Sequence, residues 1–177
     1  ADHWDGFPQY KANFVENVLS QYGVHTLGGD VHSCYVTEHK ANSSNGNKSF
    51  NFTTSSVSSA TFGSFMEEGM TSLLSQLGDV SASISTLPLF FSSLVQTATK
   101  RDDVQDDLVF ARMYDHGIAI VEVDANSMKV DFHNIPAQVN GVDTVKQSFY
   151  QNADAYLTMV KQHKFTIVDG ELTQVTA

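Results

Sequence analysis

The chain is short of cysteine, proline, tryptophan and positive charge: one Cys, three Pro, one Trp and ten Lys plus Arg in 177 residues. Each shortage excludes something. Cys34 stands alone, so no internal disulfide organises the fold, and a single thiol is compatible with any compartment. It follows His32 by two residues and is a conceivable further metal ligand, although a buried structural thiol is the commoner fate of a lone cysteine. Ten cations against twenty acidic residues give a net charge of −10 and leave no basic cluster to neutralise phosphates, which argues against a nucleic-acid partner. Acidic groups bind cations instead. No apolar run approaches the roughly 20 residues of a membrane-spanning helix. The longest, Leu87-Pro88-Leu89-Phe90-Phe91, is far shorter, so no transmembrane segment is expected. Neither a methionine nor a signal peptide opens the sequence, and the expectation is that Ala1 is not the start of the gene product.

A chain of this length is expected to form a single domain, or a portion of one, and to bury roughly 70% of its unfolded surface. Tyr10, Phe14, Val18 and Tyr22 recur at helical spacing, and Phe7, Val15 and Leu19 widen the stripe. With Pro8 in the first turn and Gly23 as the stop, they predict a helix over 8–22. Val24 to Leu27 reads as a strand entering the glycine turn Gly28-Gly29. Helix, strand and loop in this order predict an α/β layered sheet-and-helix domain, in which ligands sit at the carboxyl ends of strands.

Directly after that strand comes Gly29-Asp30-Val31-His32-Ser33. If the backbone is extended there, Asp30 and His32 point to the same side and reach one place. A carboxylate oxygen and a neutral imidazole nitrogen are ligands for a divalent or trivalent cation, and adjacent glycines let the backbone approach closely. The competing reading is a surface turn in which the two residues are incidental.

Further along, residues 37–48 read as a polar loop and Ser49 to Thr53 as a strand, followed by the hydroxyl-rich run Thr54 to Ser59. Asn42, Asn47 and Asn51 each open a glycosylation acceptor pattern, a weak hint of secretion. Phe65 to Leu77 has helical spacing, and a short second helix is expected between Leu89 and Thr97. Lys100 to Asp107 reads as a charged connector without the glycine and terminal glutamate of a calcium loop. Leu108 to Tyr114, Gly117 to Val123 and Met128 to Ile135 read as three strands of an antiparallel meander, with His116 and His133 as ordinary strand-end histidines. Asp143 is placed to cap a helix carrying Val145, Phe149, Ala153, Tyr156, Leu157 and Val160. Phe165 to Val168 and Leu172 to Val175 close the chain as a hairpin turned by Asp169-Gly170.

Trp4-Asp5-Gly6-Phe7, a helix, a strand and Gly29-Asp30-Val31-His32 together resemble the C-terminal half of the PhoD-like alkaline phosphatases, a branch of the calcineurin-like metallophosphoesterases. That family carries Trp-Asp-Gly-Tyr, a helix, and a Gly-Asp-x-His loop, and Thr54 to Ser59 is similar to the hydroxyl stretch that follows its loop. Phe7 replaces the tyrosine, Tyr10-Lys11 stands where an arginine is common, and His116-Gly117-Ile118 stands near a family Arg-Gly-Tyr. The resemblance implies a metal-dependent phosphoric ester hydrolase, secreted, periplasmic or at the cell surface, acting on a phosphate ester. It makes Asp30 and His32 metal ligands, with calcium and iron as the implied ions, and puts Trp4 and Asp5 at the edge of the substrate site.

The family's remaining ligands come from Gly-Asp-x-x-Asp and Gly-Asn-His loops in an N-terminal half. Neither occurs here; Gly78-Asp79 is followed by Val80-Ser81-Ala82. The expectation is therefore a C-terminal portion that supplies Asp30 and His32 to a two-metal site completed by the N-terminal half or a second chain. The alternative is a non-catalytic subunit or binding module that keeps the fold.

Overall fold

The structure is a computed structural model that describes residues 7–41, 47–77, 106–139, 142–144 and 152–175. Helix α1, residues 8–22, is α-helical over Pro8–Phe14, passes through a π-helical turn at Val15–Leu19 and ends at Ser20–Tyr22. Gly23 stops it in the left-handed conformation (φ 62°), and the Val24 N–H returns to the Leu19 carbonyl at 2.9 Å. Only a residue without Cβ takes that φ at no steric cost, which is why the helix ends there.

Two four-stranded sheets follow. Strands β1 (Thr26–Gly28), β2 (Cys34–His39), β3 (Ser49–Thr53) and β4 (Asp106–Arg112) form the first, in the order β1-β3-β2-β4. Within it β1 and β3 are parallel, and β2 is antiparallel to both β3 and β4. Strands β5 (Asp115–Val123), β6 (Ser127–Pro136), β9 (Lys161–Val168) and β10 (Glu171–Val175) form the second, wholly antiparallel, in the order β10-β9-β6-β5. The short strands β7 (Gln138–Val139) and β8 (Val142–Asp143) pair separately, and helices α2 (Phe62–Leu77) and α3 (Ala153–Leu157) complete the described elements. The content is mixed α and β but mostly strand.

Inward positions of the two sheets make one core. Cys34, Val36, Phe50 and Phe52 from the first meet Val130, Phe132, Phe165 and Ile167 from the second. Phe52 lies 6.5 Å from Phe132 and 6.2 Å from Phe165, and Phe110 lies 5.3 Å from Phe165 between ring centroids, the spacing of aromatic contacts across packed sheets.

The meander expected from Leu108 to Ile135 is not what forms. β4 pairs with β2 in the first sheet, and only β5 and β6 pair with each other. The physical reason lies at Met113–Tyr114, which crosses between the sheets instead of turning back on itself. The Met113 carbonyl accepts from Gly63 N and the Tyr114 carbonyl from Ala137 N. Gly117 sits inside β5, which starts at Asp115, and a Cβ there would lie 2.6 Å from the His133 carbonyl of the adjacent strand. The turn at Asp124 does form: Asp124 Oδ1 accepts from Asn126 N and Ser127 N at 2.8 Å each, and these bonds hold its carboxyl below the usual range.

Other expectations differ in extent. The polar loop starts later than expected, because β2 runs on to His39. α2 begins at Phe62, since Thr61 Oγ1 accepts from Ser64 N and the Phe62 and Gly63 N–H groups reach the carbonyls of His32 and Met113. Asp143 belongs to β8, and the described helix Ala153–Leu157 is capped by Asn152 Oδ1 on Ala155 N at 3.1 Å. Asp106 and Asp107 open β4 instead of ending a connector. The second helix expected at 89–97, the rest of the 100–107 run and residues 145–151 lie outside the described residues. The closing hairpin is as expected, with both turn residues at positive φ, Asp169 at 50° and Gly170 at 78°, as a type I′ turn requires.

Cys34 is fully buried, and burial pushes its thiol up to about 12. The native thiol should resist an aromatic disulfide reagent and react only on unfolding; fast reaction in native buffer would contradict the packing. Because the folded state keeps the proton that the unfolded state releases from about pH 9, this group's contribution to stability falls between about 9 and about 12.

Candidate functional site

The site grows from the parallel pair β1 and β3. Parallel strands end on the same side, so the loop after Gly28 and the loop after Thr53 leave the sheet together. The Thr54 N–H donates to the Gly28 carbonyl at 3.1 Å and joins the two loops at their base. Gly28 leaves room there: a Cβ would lie a tight 3.1 Å from Thr53 Oγ1. Thr26 Oγ1 and Thr53 Oγ1 both engage the Asn51 side chain between the two strands, which commits that asparagine to the sheet.

Asp30 and His32 lie at the carboxyl end of β1, where the sequence puts them, but the backbone there is not extended. Residues 30–33 are bends, and Asp30 (φ 67°) and His32 (φ 57°) both adopt the left-handed conformation. The alternation rule that put both side chains on one side does not apply to such a backbone. Left-handed residues other than glycine cost free energy, and Asp and His tolerate the region better than most. The loop therefore takes a conformation that glycine would adopt more cheaply, with two residues able to bind metal in those places.

The two side chains differ in surroundings. Asp30 is exposed. His32 is half-buried and held at three points: its Nδ1 lies 2.7 Å from the Ala60 carbonyl, its own carbonyl accepts from Phe62 N at 2.8 Å, and its ring lies 5.9 Å from that of Phe65. A carbonyl can only accept, so Nδ1 carries a proton, and in the neutral ring Nε2 is the nitrogen that presents a lone pair. This is the arrangement in which a histidine ligates through Nε2 while a backbone carbonyl orients its ring. No residue type in the sequence announces Ala60, because its part is played by a main-chain oxygen.

The hydroxyl-rich loop braces the site rather than offering groups to it. Ser55 Oγ donates to the Asp115 carbonyl at 2.5 Å and Ser56 Oγ to the Ser59 carbonyl at 2.7 Å, while the Ser56 carbonyl accepts from Gly117 N. Asp115, almost fully buried, pairs with Arg112 Nε at 2.6 Å just beyond. Val31, Ser33, Cys34, Phe62 and Met113 line a small apolar cavity of about 210 Å3 beside the loop.

Trp4 and Asp5 lie outside the described residues. Among the described residues no three His, Cys, Asp or Glu side chains gather where they could hold a metal ion. Cys34 faces the core and is no ligand here. No family model, curated protein or solved structure matches the chain.

Proposed function

We propose that the chain is the C-terminal portion of a metal-dependent phosphoric ester hydrolase of the PhoD-like type, with Asp30 and His32 as ligands in a two-metal site completed by another segment or chain. The observation that carries this reading is the 2.7 Å contact between His32 Nδ1 and the Ala60 carbonyl, which leaves Nε2 as the ligating nitrogen. Asp30 adds an exposed oxygen donor whose charge offsets that of a cation. Calcium or iron bound there would supply Lewis-acid activation of a water and of the phosphoryl oxygens. The loop at 54–60 holds His32 in place through Ala60 and is itself fastened to β5 through Ser55 and Ser56.

Completion from outside the described residues is supported by exposed apolar side chains on α1 and β1. Tyr10 on α1 is 76% exposed and Leu27 on β1 is 60% exposed, with Phe7 and Tyr22 also exposed, and β1 is an edge strand. Exposed apolar side chains, and a strand that ends the sheet among the described residues, are features a chain can present to an association partner. The same surface suits a non-catalytic subunit, and metal binding separates the two readings.

The test uses trace Mn2+ and the imidazole resonances of the chain. The His32 signals should broaden first, and Asp30→Ala should remove that selectivity. Broadening spread evenly over the histidines, or unchanged in Asp30→Ala, would refute the ligand pair. The chain alone, given calcium, iron, manganese or zinc, should hydrolyse a chromogenic phosphate ester little above background. Robust turnover abolished by Asp30→Ala would mean that the chain holds a complete site.

A further inference from the structure

The outer face of the second sheet carries a pocket of about 540 Å3 that the metal site does not use. Its floor follows from register and alternation. Ile118 pairs with His133 and His133 with Gln162, while His116 pairs with Ile135 one step along. These side chains share one face, because Ala119, Val121, Val130 and Phe132 point the other way into the core. Tyr156, Leu157 and Val160, in and just after α3, and Val57 complete the lining. The volume lies in the range of small-molecule sites.

Half of the lining residues are aliphatic, and the polar side chains are His116, His133, Tyr156 and Gln162. His116 is 4% exposed, and its Nδ1 has no hydrogen-bond partner among the described residues. A buried ring nitrogen left unpaired is costly, and a turn of the ring toward a ligand oxygen or N–H in the pocket would satisfy it. His133 Nε2 lies 3.3 Å from Asp131 Oδ2, outside hydrogen-bond geometry, and Asp131 is also approached by Lys164 Nζ at 3.6 Å. A carboxylate so close to the floor, in a chain of net charge −10, disfavours an anion.

We infer that this pocket binds a neutral small molecule with an aromatic or aliphatic body and a single hydrogen-bonding group, the body lying between Ile118, Ile135, Leu157 and Val160 and the polar group meeting His116. The pocket also adjoins the metal-site loop, since Val57 and Ala60 belong to the same short segment.

The neutral fluorophore N-phenyl-1-naphthylamine tests this on the chain as it stands. It should bind saturably at one site, and 1-octanol should displace it where octanoate does not. Leu157→Asp and Ile118→Asp alter side chains that are 65% and 50% exposed, so the fold should tolerate them, and each should weaken binding at least tenfold. Circular dichroism of both variants confirms that the fold is kept. Failure of the probe to bind, equal binding to both variants, or better displacement by octanoate would overturn the inference. So would loss of binding in Tyr10→Asp, which would move the probe to the exposed stripe of α1.

Discussion

Phe132→Ala should destabilise the protein by about 3–5 kcal/mol, the range for truncating a fully buried aromatic side chain. Phe132 is 0% exposed, and its ring lies 6.5 Å from Phe52, 6.3 Å from Phe110 and 5.9 Å from Phe165. Its neighbours therefore come from both sheets. Removing the ring leaves a cavity at their junction, and the β-sheet backbone on each side resists collapse into it. Urea unfolding followed by near-ultraviolet circular dichroism would show a midpoint lowered by about 1–5 M for a slope of about 1–3 kcal/mol per M. The control is Ile120→Ala on the outer face of the same sheet, where the side chain is half exposed and the cost should stay near 0.5 kcal/mol. Similar losses in both variants would mean that the two sheets do not share this core.

The ring cluster also shows what the sequence could convey. Alternation of Phe50 and Phe52, and of Val130 and Phe132, marks inward faces, and the structure buries all four. Helix α1 was legible from its spacing and its Pro8 and Gly23 ends, and the last hairpin from Asp169-Gly170. Partner choice was not legible. β4 carries the same alternating pattern whether it pairs with β2 or with β5, and the decision rests on contacts of Met113 and Tyr114 with residues distant in sequence. Alternation fixes which side chains point inward but not which strand lies alongside.

The site was legible in part for the same reason. Its place after β1 followed from the order of elements, but its backbone did not, because nothing in Asp-x-His signals two left-handed residues. The oxygen that orients His32 belongs to Ala60, whose side chain has no part in the contact. The three glycosylation patterns illustrate the limit from the other direction. Asn51 is committed to the sheet, Asn47 packs against Gly23 and bonds to the end of α1, and Asn42 lies outside the described residues.

Asp30→Gly separates binding chemistry from backbone strain and should give the larger functional effect. At φ 67° glycine relieves a conformation that costs an L-residue roughly 1–2 kcal/mol. Its greater unfolded-state freedom takes back roughly 0.5–1 kcal/mol. Asp30 is exposed, so little packing is lost, and stability should hold or rise by up to about 1 kcal/mol. If Asp30 is a metal ligand as proposed, the same substitution deletes a metal-binding oxygen from the completed site. Several kcal/mol of transition-state stabilisation lost corresponds to a fall in kcat/KM of roughly three orders of magnitude. Asp30→Asn keeps the shape and tolerance of the left-handed conformation but removes the charge, so it should lose activity without gaining stability. A stable Asp30→Gly protein with turnover near that of the parent would deny Asp30 any part in the metal site, whereas a destabilised one would show that the carboxylate holds the loop instead.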